Sequence, residues 1–145
     1  MVLEIPSINV KMNIVGVPQA ENGWDLNWLG KDAGYLNGTA FPTWLGNTVL
    51  TGHVWNADNT PGAFAGLRKL QPDDLVKIVA WGQVYTYKVT ESRNIWPEQS
   101  NVLFQHVSDA STITLMTCEL FNPFTRGYTF RRIVRTVFVG ISKAQ

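Results

Sequence analysis

The amino-acid sequence predicts an all-β protein whose strands close into a barrel or pack as a sandwich. Short apolar runs recur along the chain, and glycine, proline or asparagine separates them about every ten residues. The run at 112–118 is rich in threonine, which favours strands. This spacing of strands and turns favours a barrel or sandwich over an α/β sheet.

The elements follow from the pattern in chain order. Connection 16–46 is rich in glycine and aromatic residues, and it is long for a structureless loop. We therefore expect it to pack through its aromatic side chains, with room for a short helix. The other expected elements are strands at 3–5, 9–15 and 47–53, one or two helical turns at 61–70, a hairpin of 75–81 and 83–91 around Gly82, and strands at 112–118 and 130–141.

Size and charge narrow the class of protein. The 145 residues predict a single domain, 1–145, with a core that needs neither metal nor disulfide. The single cysteine allows no intramolecular disulfide, the net charge is +1, and charged residues make up 16% of the chain against about 25% in typical domains. Without a run of Lys or Arg, nucleic acid is not an expected partner. The sequence also has neither an 18-residue apolar stretch nor a secretory signal.

Cys118 is the candidate nucleophile. A lone cysteine most often behaves as a small buried hydrophobe. Here it ends the strand Thr-Leu-Met-Thr-Cys at 114–118. Alternation puts Ile113, Leu115 and Thr117 on one face, which suits the core. Thr114, Met116 and Cys118 then share the more polar face.

A histidine and an arginine are candidate partners of the thiol. His53 follows Gly52 at the end of an apolar strand, whereas His106 lies in a polar, loop-like stretch. His53 is therefore the preferred base, and His106→Ala is expected to be nearly silent. Arg131 and Arg132 are adjacent in a strand, so only one of them can face the cysteine. A well-aimed cation there would stabilise an oxyanion by about 2–4 kcal/mol.

These motifs together resemble the sortases, cysteine transpeptidases of bacterial and some archaeal cell surfaces. The run 114–118 resembles their Thr-Leu-x-Thr-Cys strand, 51–53 resembles their histidine strand, and 131–135 resembles their arginine strand. The order of the motifs agrees, and the resemblance covers nearly the whole chain. The sequence looks nearest the single-domain housekeeping type. It lacks the Asp-Pro-aromatic lid motif of pilin-building sortases and the acidic calcium cluster of another subclass.

The resemblance implies a barrel of about eight strands with short helices. Cys118 would attack a Leu-Pro-x-Thr-Gly-like sorting signal after its threonine and form a thioester, which an amine from the cell wall or a pilin lysine would resolve. His53 would be the acid and base, and Arg131 with the backbone N–H of Glu119 would hold the oxyanion. The groove residues expected from the resemblance are Thr51, Thr114, Met116, Thr117 and Trp96.

The resemblance also implies partners and a location. The partners would be surface proteins that carry a sorting signal, and no metal or other cofactor is expected. The protein would work at the extracellular face of the cell membrane. Family members carry an N-terminal membrane anchor, which we expect to have been removed from this chain.

Two other functions compete with this interpretation. A non-catalytic β-barrel could bind an extended peptide on its aromatic residues, with Cys118 in the core. A thiol transpeptidase of the L,D type would carry an arginine two residues after its cysteine, and this sequence has Leu120 at that position.

Overall fold

The computed structural model describes residues 1–21, 23, 24, 26, 28–55, 60–96, 99, 101, 109–122 and 127–145, with 118–122 and 127–130 described by their strand backbone. These residues form ten strands and two short 3₁₀ helices, Pro6–Ile8 and Leu67–Lys69. In chain order the strands are β1 (Val2–Ile5), β2 (Val10–Val17), β3 (Gln19–Ala20), β4 (Gly23–Trp24), β5 (Ala33–Leu36), β6 (Gly46–Thr51), β7 (Leu75–Ala80), β8 (Gln83–Ile95), β9 (Ser111–Asn122) and β10 (Gly127–Lys143).

Eight strands close into a barrel in the order β1-β2-β5-β6-β9-β10-β8-β7, while β3 and β4 form a two-stranded ribbon. Neighbouring barrel strands are antiparallel except for two parallel pairs, β2 with β5 and β6 with β9. The closed barrel and its strand number confirm the predicted fold class. Closure also pairs the long strands on both sides, so they offer no open edge to another chain.

The barrel interior is apolar and follows the alternation of the strands. One apolar cluster contains Leu50 of β6, Ile113 and Leu115 of β9, and Val134 of β10, and these four side chains are fully buried. Ile113 and Leu115 therefore face the core, as the sequence predicts. Smaller clusters lie on the opposite strand faces; they comprise Val49 with Val17, Leu29 and Leu36, and Met116 with Ile95 and Ile133.

The sequence does not predict β5, which lies inside connection 16–46. Its residues, Ala-Gly-Tyr-Leu, include two with low strand propensity. The strand forms because it pairs with β2 on one side and with β6 on the other. Gly34 permits this packing, since a Cβ at that position would stand 2.8 Å from the Val17 side chain. The strand thus depends on neighbours that are distant from it in sequence.

Other elements differ from prediction mainly in their bounds. The helical turns expected at 61–70 contract to the 3₁₀ helix Leu67–Lys69, and the predicted hairpin is present as β7 and β8. The cysteine and arginine strands, β9 and β10, are longer than predicted. Across the residues that the structure describes, no helix has the length and apolarity to cross a bilayer.

Candidate active site

Three neighbouring strands bring the backbones of His53, Cys118 and Arg131 to one rim of the barrel. β6 pairs in parallel with β9, with Thr51 opposite Met116, and His53 follows two residues after Thr51. On the other side of β9, β10 is antiparallel and sets Arg131 directly opposite Cys118. The ends of β6 and β9 and the first part of β10 therefore meet at the same place.

A cavity of about 80 Å³ lies at this rim. His53 and Arg131 both line it, and so do Trp55 and Leu26 from two connecting segments. The rest of the described lining is Thr51, Gly52, Val54, Met116 and Thr117. A cavity of this size holds one side chain or one backbone unit of a ligand, well below the several hundred Å³ of a typical small-molecule pocket. Its chemistry combines an imidazole and a cation with an otherwise largely uncharged wall.

His53 is held through its ring and its backbone. Its Nε2 lies 2.9 Å from the carbonyl oxygen of Leu26, and its own carbonyl accepts a hydrogen bond from the Phe64 N–H at 3.0 Å. Gly62 passes so close that a Cβ there would stand 2.0 Å from the His53 carbonyl oxygen. At Gly52, an added Cβ would meet the Phe64 ring at 3.1 Å. Both glycines therefore let the histidine segment pack against residues 62–64.

Two threonine hydroxyls join the histidine strand to the cysteine strand. Thr51 Oγ1 donates to the Met116 carbonyl at 2.9 Å, and Thr117 Oγ1 donates to the Gly52 carbonyl at 2.8 Å. Both threonines are 2% exposed. Thr117 directly precedes Cys118, and Gly52 directly precedes His53. These bonds thus hold the two backbones together next to the residues expected to carry the chemistry.

The two adjacent arginines have different surroundings. Arg131 lines the cavity with His53. Arg132 reaches the Ser92 hydroxyl through a long hydrogen bond of 3.4 Å and is absent from the described lining of that cavity. Strand alternation explains the separation, because adjacent side chains point to opposite faces. Arg131 is accordingly the arginine placed next to the histidine.

The other predicted groove residues fall into two groups. Met116 lines the cavity with Thr51 and Thr117, although both hydroxyls of these threonines are engaged with backbone carbonyls. Thr114 is buried and donates to Asn47 Oδ1 at 2.7 Å, and Trp96 is half exposed; neither is among the described residues that line the cavity.

The cysteine and its successor are described through the backbone of β9, where Cys118 is opposite Arg131 and Glu119 is opposite Phe130. Their side chains lie outside the described part of the structure, and His106 lies outside it altogether.

The sequence does not single out Leu26, Trp55 or Gly62 as site residues. Leu26 contacts His53 through a backbone carbonyl, which every residue type possesses. Gly62 acts through the absence of a side chain, and its glycine was the one available signal. Trp55 follows the histidine by two residues and lines the cavity while remaining half exposed.

Comparison with known proteins identifies the family and the fold. A family model described as the sortase domain matches residues 3–139. Sortase C-1 from Actinomyces oris is similar to the chain with a TM-score of 0.77 and 27% identity, over 96% of this chain and 72% of that one. A Clostridium perfringens sortase D5 transpeptidase is similar with a TM-score of 0.75 and 27% identity, over 96% and 78%.

Sortase A from Listeria monocytogenes, 20% identical over 99% of this chain and 89% of that one, shares the fold with a TM-score of 0.74. A search among curated proteins gave no match. The family model spans nearly all of the described barrel. The chain therefore belongs to the sortase family of cysteine transpeptidases.

Proposed function

We propose that the protein cleaves a Leu-Pro-x-Thr-Gly-like sorting signal after its threonine and transfers the acyl group to an amine. The donors would be surface proteins that carry the signal, and the acceptor would be an amine of the cell wall or of a pilin. The reaction would take place at the extracellular face of the cell membrane. The observation that carries the proposal is the strand register, which sets Arg131 opposite Cys118 beside the strand that leads to His53.

In the first half-reaction, the Cys118 thiolate attacks the carbonyl carbon of the signal's threonine. The C–S bond forms while the carbonyl electrons move onto oxygen, and Arg131 and the Glu119 N–H stabilise that oxyanion. His53 gives a proton to the leaving amine as the C–N bond breaks. The products are a thioester on Cys118 and a free amine that begins with the signal's glycine.

In the second half-reaction, the acceptor amine attacks the thioester carbonyl. His53 removes a proton from that amine, the new C–N bond forms, and the thiolate leaves. Arg131 and the Glu119 N–H stabilise the second oxyanion as they did the first. Arg131 and His53 line one cavity of about 80 Å³, and this shared location supports their joint role.

Cleavage of a fluorogenic sorting peptide, with and without an added amine, tests the proposal. We expect turnover that the amine accelerates, and an acyl-enzyme on Cys118 that mass spectrometry detects and hydroxylamine releases. Cys118→Ala should abolish both signals. If the wild-type protein binds the peptide without cleaving it, the non-catalytic module is the correct interpretation. Processing of peptidoglycan stem peptides instead would indicate the L,D-type reaction.

The adjacent arginines supply a matched pair for the oxyanion role. Arg131→Ala should lower kcat about 10²–10³-fold, the usual effect of losing an oxyanion donor. Arg132→Ala, on the opposite strand face, should change kcat less than about tenfold, and circular dichroism verifies that both variants are folded. Equal losses in the two folded variants would contradict the assignment of Arg131.

A further inference from the structure

We infer that the backbone carbonyl of Leu26 fixes the His53 ring so that Nδ1, not Nε2, is the nitrogen that exchanges protons with the reactants. The inference rests on the proposed acid and base role of His53. Its basis is the 2.9 Å contact between His53 Nε2 and the Leu26 oxygen. A carbonyl oxygen only accepts hydrogen bonds, so the ring must supply the proton. The neutral ring then carries hydrogen on Nε2 and a lone pair on Nδ1.

The accepting carbonyl is itself held in place. Leu26 packs against the cluster that contains Leu29 and Val49, on the face of β6 opposite its core residue Leu50. Its oxygen also accepts a hydrogen bond from the Leu29 N–H at 3.1 Å. Both lone pairs of the oxygen are thus used, one in the local turn and one by the histidine. Connection 16–46 therefore presents a fixed acceptor to the ring.

The histidine backbone is fixed from two other directions. Its carbonyl accepts from the Phe64 N–H, and the preceding Gly52 carbonyl accepts from Thr117 Oγ1. A 180° flip of the ring about χ2 would exchange Nε2 with Cε1, so a carbon would face the Leu26 oxygen and the Nε2 bond would be lost. With the backbone held, the ring has one orientation that keeps this bond.

This arrangement gives each ring nitrogen one task throughout the cycle. Nε2–H donates to Leu26 whether the ring is neutral or charged. Nδ1 gives its proton to the leaving amine when the first C–N bond breaks, and it takes a proton from the acceptor amine in the second half-reaction. Proton transfer therefore occurs at one ring atom, and Leu26 is a positioning residue that does not itself contact the reacting atoms.

Nitrogen-15 NMR of the histidine rings tests the inference independently of turnover. The full chain is labelled with ¹⁵N-histidine in the Cys118→Ala background, at a pH where the ring is neutral, and two-bond ¹H–¹⁵N correlations report which nitrogen is protonated. The chain contains two histidines, so His106→Ala identifies the His53 signals. We expect protonated Nε2 with a slowly exchanging ring N–H. A ring protonated on Nδ1 would overturn the inference.

A variant in connection 16–46 separates the effect of the Leu26 carbonyl from the tautomer preference that an imidazole ring has without any partner. Leu26→Ala removes the side chain that anchors the carbonyl, so the ring N–H should exchange faster and the tautomers should mix. In the enzyme with Cys118 present, kcat should fall about two- to fivefold with KM little changed, because part of the population presents the wrong nitrogen. An unchanged ring spectrum in a folded Leu26→Ala protein would also overturn the inference.

Val15→Ala is the matched control. Val15 packs against the same apolar cluster as Leu26 and is not among the described residues of the cavity lining. It should lose packing without altering the ring spectrum or kcat, and an equal spectral change in both variants would contradict a specific role for Leu26. If the protein cleaves no sorting peptide while Nε2 stays protonated, the proposed function fails and the ring assignment stands.

Discussion

At the residue scale, the threonines beside the site connect strands through their hydroxyls. The sequence placed Thr51 and Thr117 in a substrate groove because of the family resemblance. The structure places both in the cavity wall, with each hydroxyl donating to a backbone carbonyl of the neighbouring segment. A hydroxyl that donates to a backbone carbonyl in this way fixes the position of the neighbouring backbone. We therefore expect Thr117 to act on catalysis through Gly52 and His53.

Thr117→Val tests this role. Valine keeps the shape and leaves the buried Gly52 carbonyl without its donor, which should cost about 1–3 kcal/mol of stability. Since that carbonyl precedes His53, kcat for sorting-peptide cleavage should fall as well, roughly tenfold, while Thr117→Ser should retain most of both. Urea unfolding and steady-state kinetics give the two quantities.

The matched control is Thr136→Val. Thr136 is also 2% exposed, and its Oγ1 donates to the Ile113 carbonyl at 2.9 Å. It lies at the part of β10 remote from Arg131. Thr136 Oγ1 also accepts from the Ile113 N–H at 3.2 Å, so its loss should reduce stability at least as much, without a similar loss of rate. If both variants lose stability and rate in parallel, Thr117 has only a general structural role.

At this scale the sequence predicts a feature when the feature depends on a side chain and on the strand face to which that side chain points. The opposite faces of Arg131 and Arg132 followed from adjacency alone, and the structure places only Arg131 of the two among the described cavity residues. Leu26 and Gly62 could not be found in this way. One acts through a carbonyl common to all residues, and the other through space that appears only when the chain has folded.

At the element scale, the β7–β8 hairpin has a two-residue turn that strains its first position. Trp81 and Gly82 have φ angles of 52° and 72°, both in the left-handed region. Two such residues in sequence match the twist of the flanking strands. Glycine adopts this conformation without cost, whereas tryptophan rarely does. Trp81 contacts Phe41 and Tyr85 through its ring, and these contacts offset part of the strain.

Gly82→Ala should destabilise the protein by about 1–2 kcal/mol, the usual penalty for a Cβ in the left-handed region. Among the described residues, apart from its two chain neighbours, no atom lies within 4 Å of the added Cβ, so steric contact adds little to this penalty. Gly140→Ala is the control, because its Cβ would also meet open space while its φ lies outside that region. Thermal unfolding should leave Gly140→Ala unchanged or more stable; equal losses would contradict the turn argument.

At this scale the sequence predicts the hairpin and does not predict β5. The hairpin strands alternate, favour β structure and flank a glycine, so all of their signals are local. β5 contains alanine and glycine and becomes a strand through parallel pairing with β2. Pairing of that kind depends on residues far apart in the chain and leaves no local pattern. For this reason the sequence allowed for a short helix within connection 16–46 and did not predict β5.

At the scale of the whole molecule, a hydrogen-bonded tyrosine lies within the apolar barrel. Tyr87 is fully buried, and its hydroxyl shares a 2.8 Å hydrogen bond with Ser111 Oγ. Burial raises the pKa of Tyr87 above its usual value of 10.0, the Ser111 bond lowers it, and the charge of Tyr85 raises it. The folded state therefore resists ionisation of this phenol.

Alkaline pH should consequently destabilise the fold. Below the unfolded-state pKa of about 10 the phenol is neutral in both states, and its contribution is fully present. Above that value the unfolded chain loses its proton first, so stability falls as pH rises toward the higher folded pKa. Urea unfolding from about pH 8 to about pH 11 should show this fall.

Tyr87→Phe should flatten that decline while lowering stability at neutral pH by about 1 kcal/mol through the lost Ser111 bond. Part of the slope should persist, because burial also raises the pKa of Tyr35. A slope identical to that of the wild type would show that Tyr87 does not govern the alkaline transition. The fold class of this barrel was predictable from strand spacing, whereas a polar pair inside it was not.

The parallel pairing of β6 with β9 has a consequence for the newly made chain. The bond between Thr51 and Met116 spans 65 positions, so contacts beside the histidine and cysteine form only after distant segments have met. Until then the thiol and the imidazole lie on segments of the chain that do not contact each other. Acyl transfer of the kind proposed would thus begin only in fully folded molecules. A chain that is still being synthesised would be inactive toward peptides near it.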